Sequence, residues 1–200
     1  MSPNGTASYA GAEDLPVLVG SALRLAQREG FSKSCRVEQG RLLSALAGGA
    51  VTSIGETGTG VGVGLAWLVS GRRPGVRVVS VECDQERAAL AASVFTSEPD
   101  VEVIHGDWTE IYDHGPFDLL VIDGGGGGKN GNPAADIARL LNPGGSVVID
   151  DFAPFTQWPP MYGDGPDEAR MIWLDHPDLV ATEVRIAPDL AAIIGTRKPT

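Results

Sequence analysis

The feature that most constrains the fold is the last pair of strand-like runs. Residues 182–186 and 190–194 are both rich in β-formers, and only Ala187-Pro188-Asp189 lies between them. A parallel crossover needs a dozen or more residues, so these two runs must pair antiparallel. Upstream the rhythm is different. Residues 50–54, 76–81, 101–104, 117–122 and 146–149 are short continuous apolar runs. Helical patterns at 62–69, 85–95 and 134–141 alternate with them. Such alternation signals a parallel sheet covered by helices on both faces. The predicted fold class is therefore α/β, a doubly wound sheet, mostly parallel, ending in an antiparallel C-terminal hairpin.

Two further helical patterns, 15–29 and 38–46, precede the sheet, and Gly48-Gly49 stops the second. Residues 1–14 read as a flexible N-terminal tail. Residues 15–200 read as a single domain, with N-terminal helices at 15–48 and the sheet core at 50–198. A chain of 200 residues with 42% apolar content suits one full core. Its apolar runs are too short to span a bilayer, and the N-terminus lacks the basic-then-apolar pattern of a signal peptide. A cytoplasmic setting with no membrane partner is expected.

The formal charge of -11 argues against nucleic acid as a partner, because phosphate neutralisation needs a basic stripe. Arg72, Arg73 and Arg77 form only a diluted cluster. Cys35 and Cys83 make no metal spacing and no disulfide framework, and read as reduced thiols. His105, His114 and His176 are too dispersed for zinc. A small molecule is the expected partner.

In open parallel sheets, ligands bind beyond the carboxyl ends of the strands. After the first strand comes Glu56-Thr57-Gly58-Thr59-Gly60-Val61-Gly62-Val63-Gly64. The dinucleotide fingerprint G-x-G-x-x-G fails here, because Val63 or Leu65 stands where a glycine is required. An acidic residue followed by G-x-G does match. Taken alone, this loop also reads as a plain strand-to-helix turn. The second strand ends at Glu82, the usual distance downstream for a carboxylate that accepts ribose hydroxyls. Cys83 follows, then Asp84, placed to cap the next helix. The third strand runs out at His105-Gly106-Asp107-Trp108, the fourth ends in Phe117-Asp118-Leu119-Leu120-Val121-Ile122-Asp123, and Leu140-Leu141-Asn142-Pro143-Gly144-Gly145 precedes the fifth.

Together these motifs, from about residue 50 to 198, resemble class I S-adenosylmethionine-dependent methyltransferases. The closing hairpin matches that family's antiparallel seventh strand and separates it from ordinary dinucleotide folds. The resemblance implies a Rossmann-like core and S-adenosylmethionine as cofactor. It implies that Glu56, Thr57, Gly58, Thr59 and Gly60 cradle the cofactor, and that Glu82 and Cys83 lie at the ribose. Gly106, Asp107 and Trp108 would meet the adenine, although Trp108 also suits the core, and Asp123 would close the pocket.

Asp123 closes the fourth strand, and Asp150 and Asp151 close the fifth. Within the class this resembles the catechol and caffeoyl-coenzyme A O-methyltransferase group, which holds a divalent metal with an Asp and an Asp-Asn pair. Gln39-Gly40 with Leu42 and Leu43 adds to that likeness. The resemblance implies Asp123, Asp150 and Asp151 as metal ligands, for a hard cation such as magnesium or calcium. The competing reading makes Asp150 and Asp151 simple caps of the following turn. The group's general-base lysine sits three residues after the first metal Asp, but Gly126 occupies that position here. Lys129 lies six residues on, across the glycine run 124–128, and with Asp123 forms the expected catalytic pair. That run is either a flexible or a closely packed loop.

Residues 152–173 form a long proline-broken segment with Phe152, Phe155, Trp158, Met161, Tyr162 and Trp173. It reads as a long loop that forms an apolar substrate pocket, an oligomer interface or simply a cover over the sheet edge, and dimers are common in the resembled group. The expected activity is O-methylation of a phenolic or catecholic hydroxyl on a small-molecule acceptor. The competing readings are a cofactor-binding module acting through a protein partner, a nicotinamide-dependent oxidoreductase, and transfer of an aminopropyl or other group from a related cofactor.

Overall fold

A computed structural model of the chain describes residues 4–199. The helices are α1 (Val17–Arg28), α2 (Val37–Ala47), α3 (Val63–Gly71), α4 (Gln85–Val94), α5 (Ile137–Leu140) and α6 (Glu168–Leu174). The strands are β1 (Ser53–Thr57), β2 (Arg77–Glu82), β3 (Val101–His105), β4 (Phe117–Ile122), β5 (Leu141–Phe152), β6 (Met161–Tyr162), β7 (Gly165–Pro166), β8 (Leu179–Ala187) and β9 (Leu190–Arg197). Seven strands form one sheet in the order β3-β2-β1-β4-β5-β9-β8, and β6 pairs only with β7. The first five strands run parallel, while β9 lies antiparallel between β5 and β8. The predicted mixed sheet with a terminal hairpin is the observed one.

Strand alternation divides the core into two layers. Ile54, Val78, Leu119 and Val148 face one way, against Val19, Leu43, Leu65 and Leu68 of the first three helices. Val79, Leu120, Val147 and Ile149 face the other way, against Ile137, Leu140 and Trp173. Each fully buried side chain of this size contributes about 1.5–3 kcal/mol relative to exposure. Strand order reverses between β1 and β4, where Thr57 sits in register with Ile122. A crevice therefore opens at the ends of these two strands.

Several boundaries differ from expectation, each for a local reason. β1 starts at Ser53 rather than at residue 50, because Asp118 accepts from the N–H groups of Val51 (2.9 Å), Thr52 (2.6 Å) and Ser53 (3.3 Å). Those amides serve a cap and not the ladder. α5 spans four residues and not 134–141. Ala135 donates its N–H to Gly126 O, and the Asp136 carboxylate starts the helix by accepting from Ala138 and Arg139. β5 is longer than the predicted 146–149, since Leu141 already pairs with Phe117. The 152–173 segment is not one long loop but carries β6, β7 and most of α6.

The expected loose tail is also partly ordered. Gly5–Tyr9 forms a 3-10 turn, and Tyr9 is buried, with the Trp67 indole donating to its hydroxyl at 2.9 Å. Among the described residues, no helix is long and apolar enough to cross a membrane.

Candidate active site

The loop after β1 is shaped by close backbone approach. Gly58 has φ +88°, and a Cβ there would lie 2.6 Å from the backbone nitrogen of Gly124, after β4. Only glycine fits such a position. Thr57 closes the same junction, its hydroxyl donating to Gly125 O at 2.8 Å. Gly60 donates its N–H to the Glu82 carboxylate at 2.8 Å. A pocket beside this loop is lined by Glu56, Gly58, Thr59, Gly60 and Asp123, with Phe31 and Cys35 closing it from before α2. The Thr6 hydroxyl donates to Phe31 O at 2.6 Å, so the N-terminal turn pins that wall.

Glu56 is buried at the pocket floor, where Ser80 donates to it and in turn contacts Thr59 at 2.6 Å. Burial raises its pKa to about 7, against the Ser80 hydrogen bond that lowers it, and Glu82 adds to the rise. Glu82 is likewise buried, but the Arg87 guanidinium lies 2.9 Å from it and the Asp84 N–H 3.0 Å. Cys83 is exposed, its sulfur 3.6 Å from Glu82. Asp84 caps α4 as its position predicted, accepting from Arg87 N.

After β3, Gly106 donates its N–H to Glu82 O at 3.0 Å, which holds this strand end to its neighbour. Asp107 is exposed and bonded to Thr109, through its N–H at 3.0 Å and its hydroxyl at 2.7 Å. Trp108 is half-buried and packs on the glycine run, where a Cβ at Gly125 would come within 2.1 Å of its ring. The run is thus the closely packed alternative. Gly127 O also accepts from the buried Trp173 indole at 2.9 Å.

This packing turns Lys129 back onto the end of β5. Its ammonium donates to the main-chain oxygens of Asp150 and Asp151, the latter at 3.0 Å, and stands 4.1 Å over the Phe152 ring. Burial lowers its pKa, while Asp151, Asp150 and Asp123 pull it upward. Six residues of separation therefore do not keep Lys129 from the site.

Asp123, Asp150 and Asp151 converge, each offering a carboxylate oxygen within 4.8 Å of the others. Burial raises the pKa of Asp123 well above the usual range, and Asp150 adds to the rise. Burial also raises Asp150, with Asp151 contributing. Both Asp150 carboxylate oxygens are buried, with no hydrogen-bond partner among the described residues. Gln39 of α2 is fully buried beside it and lowers the Asp150 pKa, although among the described residues its amide atoms meet no partner in hydrogen-bond geometry. Asp151 has φ 61°, where Asp and Asn are the best tolerated residues after glycine. An Asp in place of Asn thus changes charge without adding backbone strain. Three carboxylates that converge in this way offer the oxygen ligands that suit a hard divalent cation.

The sequence reading did not single out Ser80, Arg87 or Arg170. Ser80, a lone hydroxyl inside the valine run of β2, was a visible signal. Arg87 and Arg170 sit on helices at spacings that mark only a solvated face. Arg170 is buried, paired with Asp167 at 2.9 Å and with Glu183, and donates to Ala153 O at 2.9 Å.

A family model described as a methyltransferase domain matches residues 56–152. A Mycobacteroides abscessus protein, whose name assigns it provisionally to the O-methyltransferases, is 36% identical over 121 residues, 55% of this chain and 54% of that protein. The chain spans about half the length of this curated relative. An O-methyltransferase from Bacillus cereus, solved in complex with SAH, superposes with a TM-score of 0.71 over 96% of each chain at 18% identity. The cofactor-bound protein Rv0187 from MTB gives a TM-score of 0.73 over 99% of each chain at 22% identity. By its strand order and its superposed core, the chain has the fold of these methyltransferase structures, and over residues 56–152 it is similar to a methyltransferase domain.

Proposed function

We propose that the protein transfers the methyl group of S-adenosylmethionine to a phenolic or catecholic hydroxyl of a small molecule, assisted by a divalent cation such as magnesium or calcium. The observation that carries this reading is the position of Asp123. It lines the glycine-loop pocket and belongs to the carboxylate trio, while Asp151 of that trio lines a second, larger cleft. The carboxylate trio thus shares Asp123 with the glycine-loop pocket and Asp151 with the larger cleft, which supports reading the two as donor and acceptor sites.

The chain's residues divide the work. Glu56 at the pocket floor suits the cofactor's amino group, and Glu82 suits its ribose hydroxyls once Arg87 yields. Gly58, Thr59 and Gly60 present main chain to the cofactor, with Thr57 fixing their junction. Gly106, Asp107 and Trp108 stand where the adenine is expected, and Cys83 lies beside the ribose carboxylate. Asp123, Asp150 and Asp151 would hold the cation, which when bound lowers the pKa of a coordinated hydroxyl and fixes its geometry. S-adenosylmethionine supplies an electrophilic methyl: the acceptor oxygen forms the new C–O bond as the C–S bond breaks, and the electron pair stays on sulfur. Lys129, with its pKa already lowered by burial, takes the hydroxyl proton as general base. Proximity and orientation supply most of the acceleration.

A binding module without chemistry would suit a site whose lysine lies out of reach, and Lys129 is not out of reach. A cytoplasmic setting and a homodimer belong to the same reading. Calorimetric titration with S-adenosylhomocysteine against NAD tests the cofactor, and a mass-shift screen of phenolic acceptors with and without magnesium tests the reaction. Binding of NAD but not S-adenosylhomocysteine would overturn the proposal.

A further inference from the structure

The second cleft encloses about 940 Å³ between the glycine run, the end of β5 and α6. That is the size of a pocket that buries a drug-sized ligand, and a single aromatic ring would leave most of it wet. Its walls are apolar at Phe152, Phe155, Met161 and Ile172, and Asn130, Asn132, Thr156, Gln157 and Tyr162 add neutral polar groups. Among the described residues two cations line it, Lys129 and Arg170, and both are engaged. Lys129 donates to the Asp150 and Asp151 carbonyls, and Arg170 is held by Asp167, Glu183 and the Ala153 carbonyl. Asp151, Asp167 and Glu168 contribute negative charge to the same walls. Phosphate groups are recognised by free Arg or Lys donors, and the described residues of this cleft offer none.

Resting on the function proposed above, we infer that the cleft selects an extended, uncharged polycyclic aromatic bearing the hydroxyl, and that it rejects coenzyme A thioesters and other polyanionic acceptors. Size argues against a single-ring catechol as the fitted ligand. Charge argues against the thioester.

The test is calorimetric, on the full chain saturated with S-adenosylhomocysteine and magnesium. The probes are a flavonoid catechol, plain catechol and caffeoyl-coenzyme A. The flavonoid is expected to bind at least tenfold more tightly than catechol and at least a hundredfold more tightly than the thioester. Glu168→Lys, which places a free cation on the cleft wall, should narrow the gap between thioester and flavonoid at least fivefold. Thioester binding equal to that of the flavonoid, catechol binding as tightly, a gap unmoved by Glu168→Lys, or no acceptor binding beside bound S-adenosylhomocysteine would each overturn the inference. Failure to bind S-adenosylhomocysteine at all would instead sink the function beneath it.

Discussion

The Gly60 N–H points at the Glu82 carboxylate from 2.8 Å, so the loop after β1 and the end of β2 are one hydrogen-bonded unit. Glu82→Gln keeps the volume of the side chain but removes the charge that Arg87 balances. Loss of one partner from a buried, hydrogen-bonded charge pair typically costs 2–5 kcal/mol. Affinity for S-adenosylhomocysteine is expected to fall at least tenfold, read by titration calorimetry. Unchanged affinity would remove Glu82 from the cofactor site.

Glu56 makes stability depend on pH in a definite direction. Its pKa rises from 4.5 unfolded to about 7 folded, so across that window the folded chain holds a proton that the unfolded chain has released. Stability should therefore fall as pH climbs from about 4.5 to about 7 and level off above, by on the order of 3 kcal/mol. Glu56→Gln should flatten this part of the profile, measured by urea denaturation at a series of pH values. A variant with the parent's slope would mean that another group carries it.

The carboxylate trio predicts stabilisation by metal. Magnesium or calcium bound only to the folded chain, at a hundred times its dissociation constant, adds about 2.7 kcal/mol. Thermal denaturation should shift upward by several degrees with the ion, and Asp123→Ala should abolish the shift. If the parent's midpoint did not move with either ion, the trio would hold protons and not a cation.

Lys129→Met should lower kcat by a factor on the order of 100 and leave KM nearly unchanged, as expected for lost general-base catalysis. Because the parent base must be neutral to accept a proton, its rate should rise with pH through the depressed lysine pKa. A variant that kept that rise would assign the proton to another group.

At the opposite end of the sheet, Asp118 gathers three main-chain donors, the Thr52 hydroxyl and the Asn142 amide. Burial works against its ionisation, but the Thr52, Val51 and Asn142 donors prevail and bring its pKa to about 2. Its contribution is complete above the unfolded value of about 4 and is lost as pH drops toward 2. Asp118→Ala should cost about 1–2 kcal/mol at neutral pH, after allowance for solvent screening, with little left of that difference near pH 2.

Much of this was legible in the chain itself. The tripeptide between β8 and β9 forced an antiparallel pair, and the valine-rich runs required burial on both faces. The convergence of Asp123, Asp150 and Asp151 followed from strand ends that meet on one side of a parallel sheet. What remained hidden depended on contacts distant in sequence. Asp118 reaches back to residues 51–53 and moves the start of β1, which no local propensity reports. Trp108 fills the space that the missing side chains of Gly125 and Gly126 leave, so five glycines that suggest mobility are held in place. Tyr9 anchors the N-terminal turn through Trp67, a partner no periodicity could identify.

Arg170 leaves a final consequence for how an acceptor arrives. Its guanidinium ties the short helix of the outer wall to a neighbouring strand and to the chain leaving β5, and Trp173 rivets the same helix to the glycines behind it. These ties hold the wall at both ends of the helix. On the function proposed above, an acceptor is expected to enter by the stretch between residues 156 and 166, whose Trp158 and Tyr162 face outward.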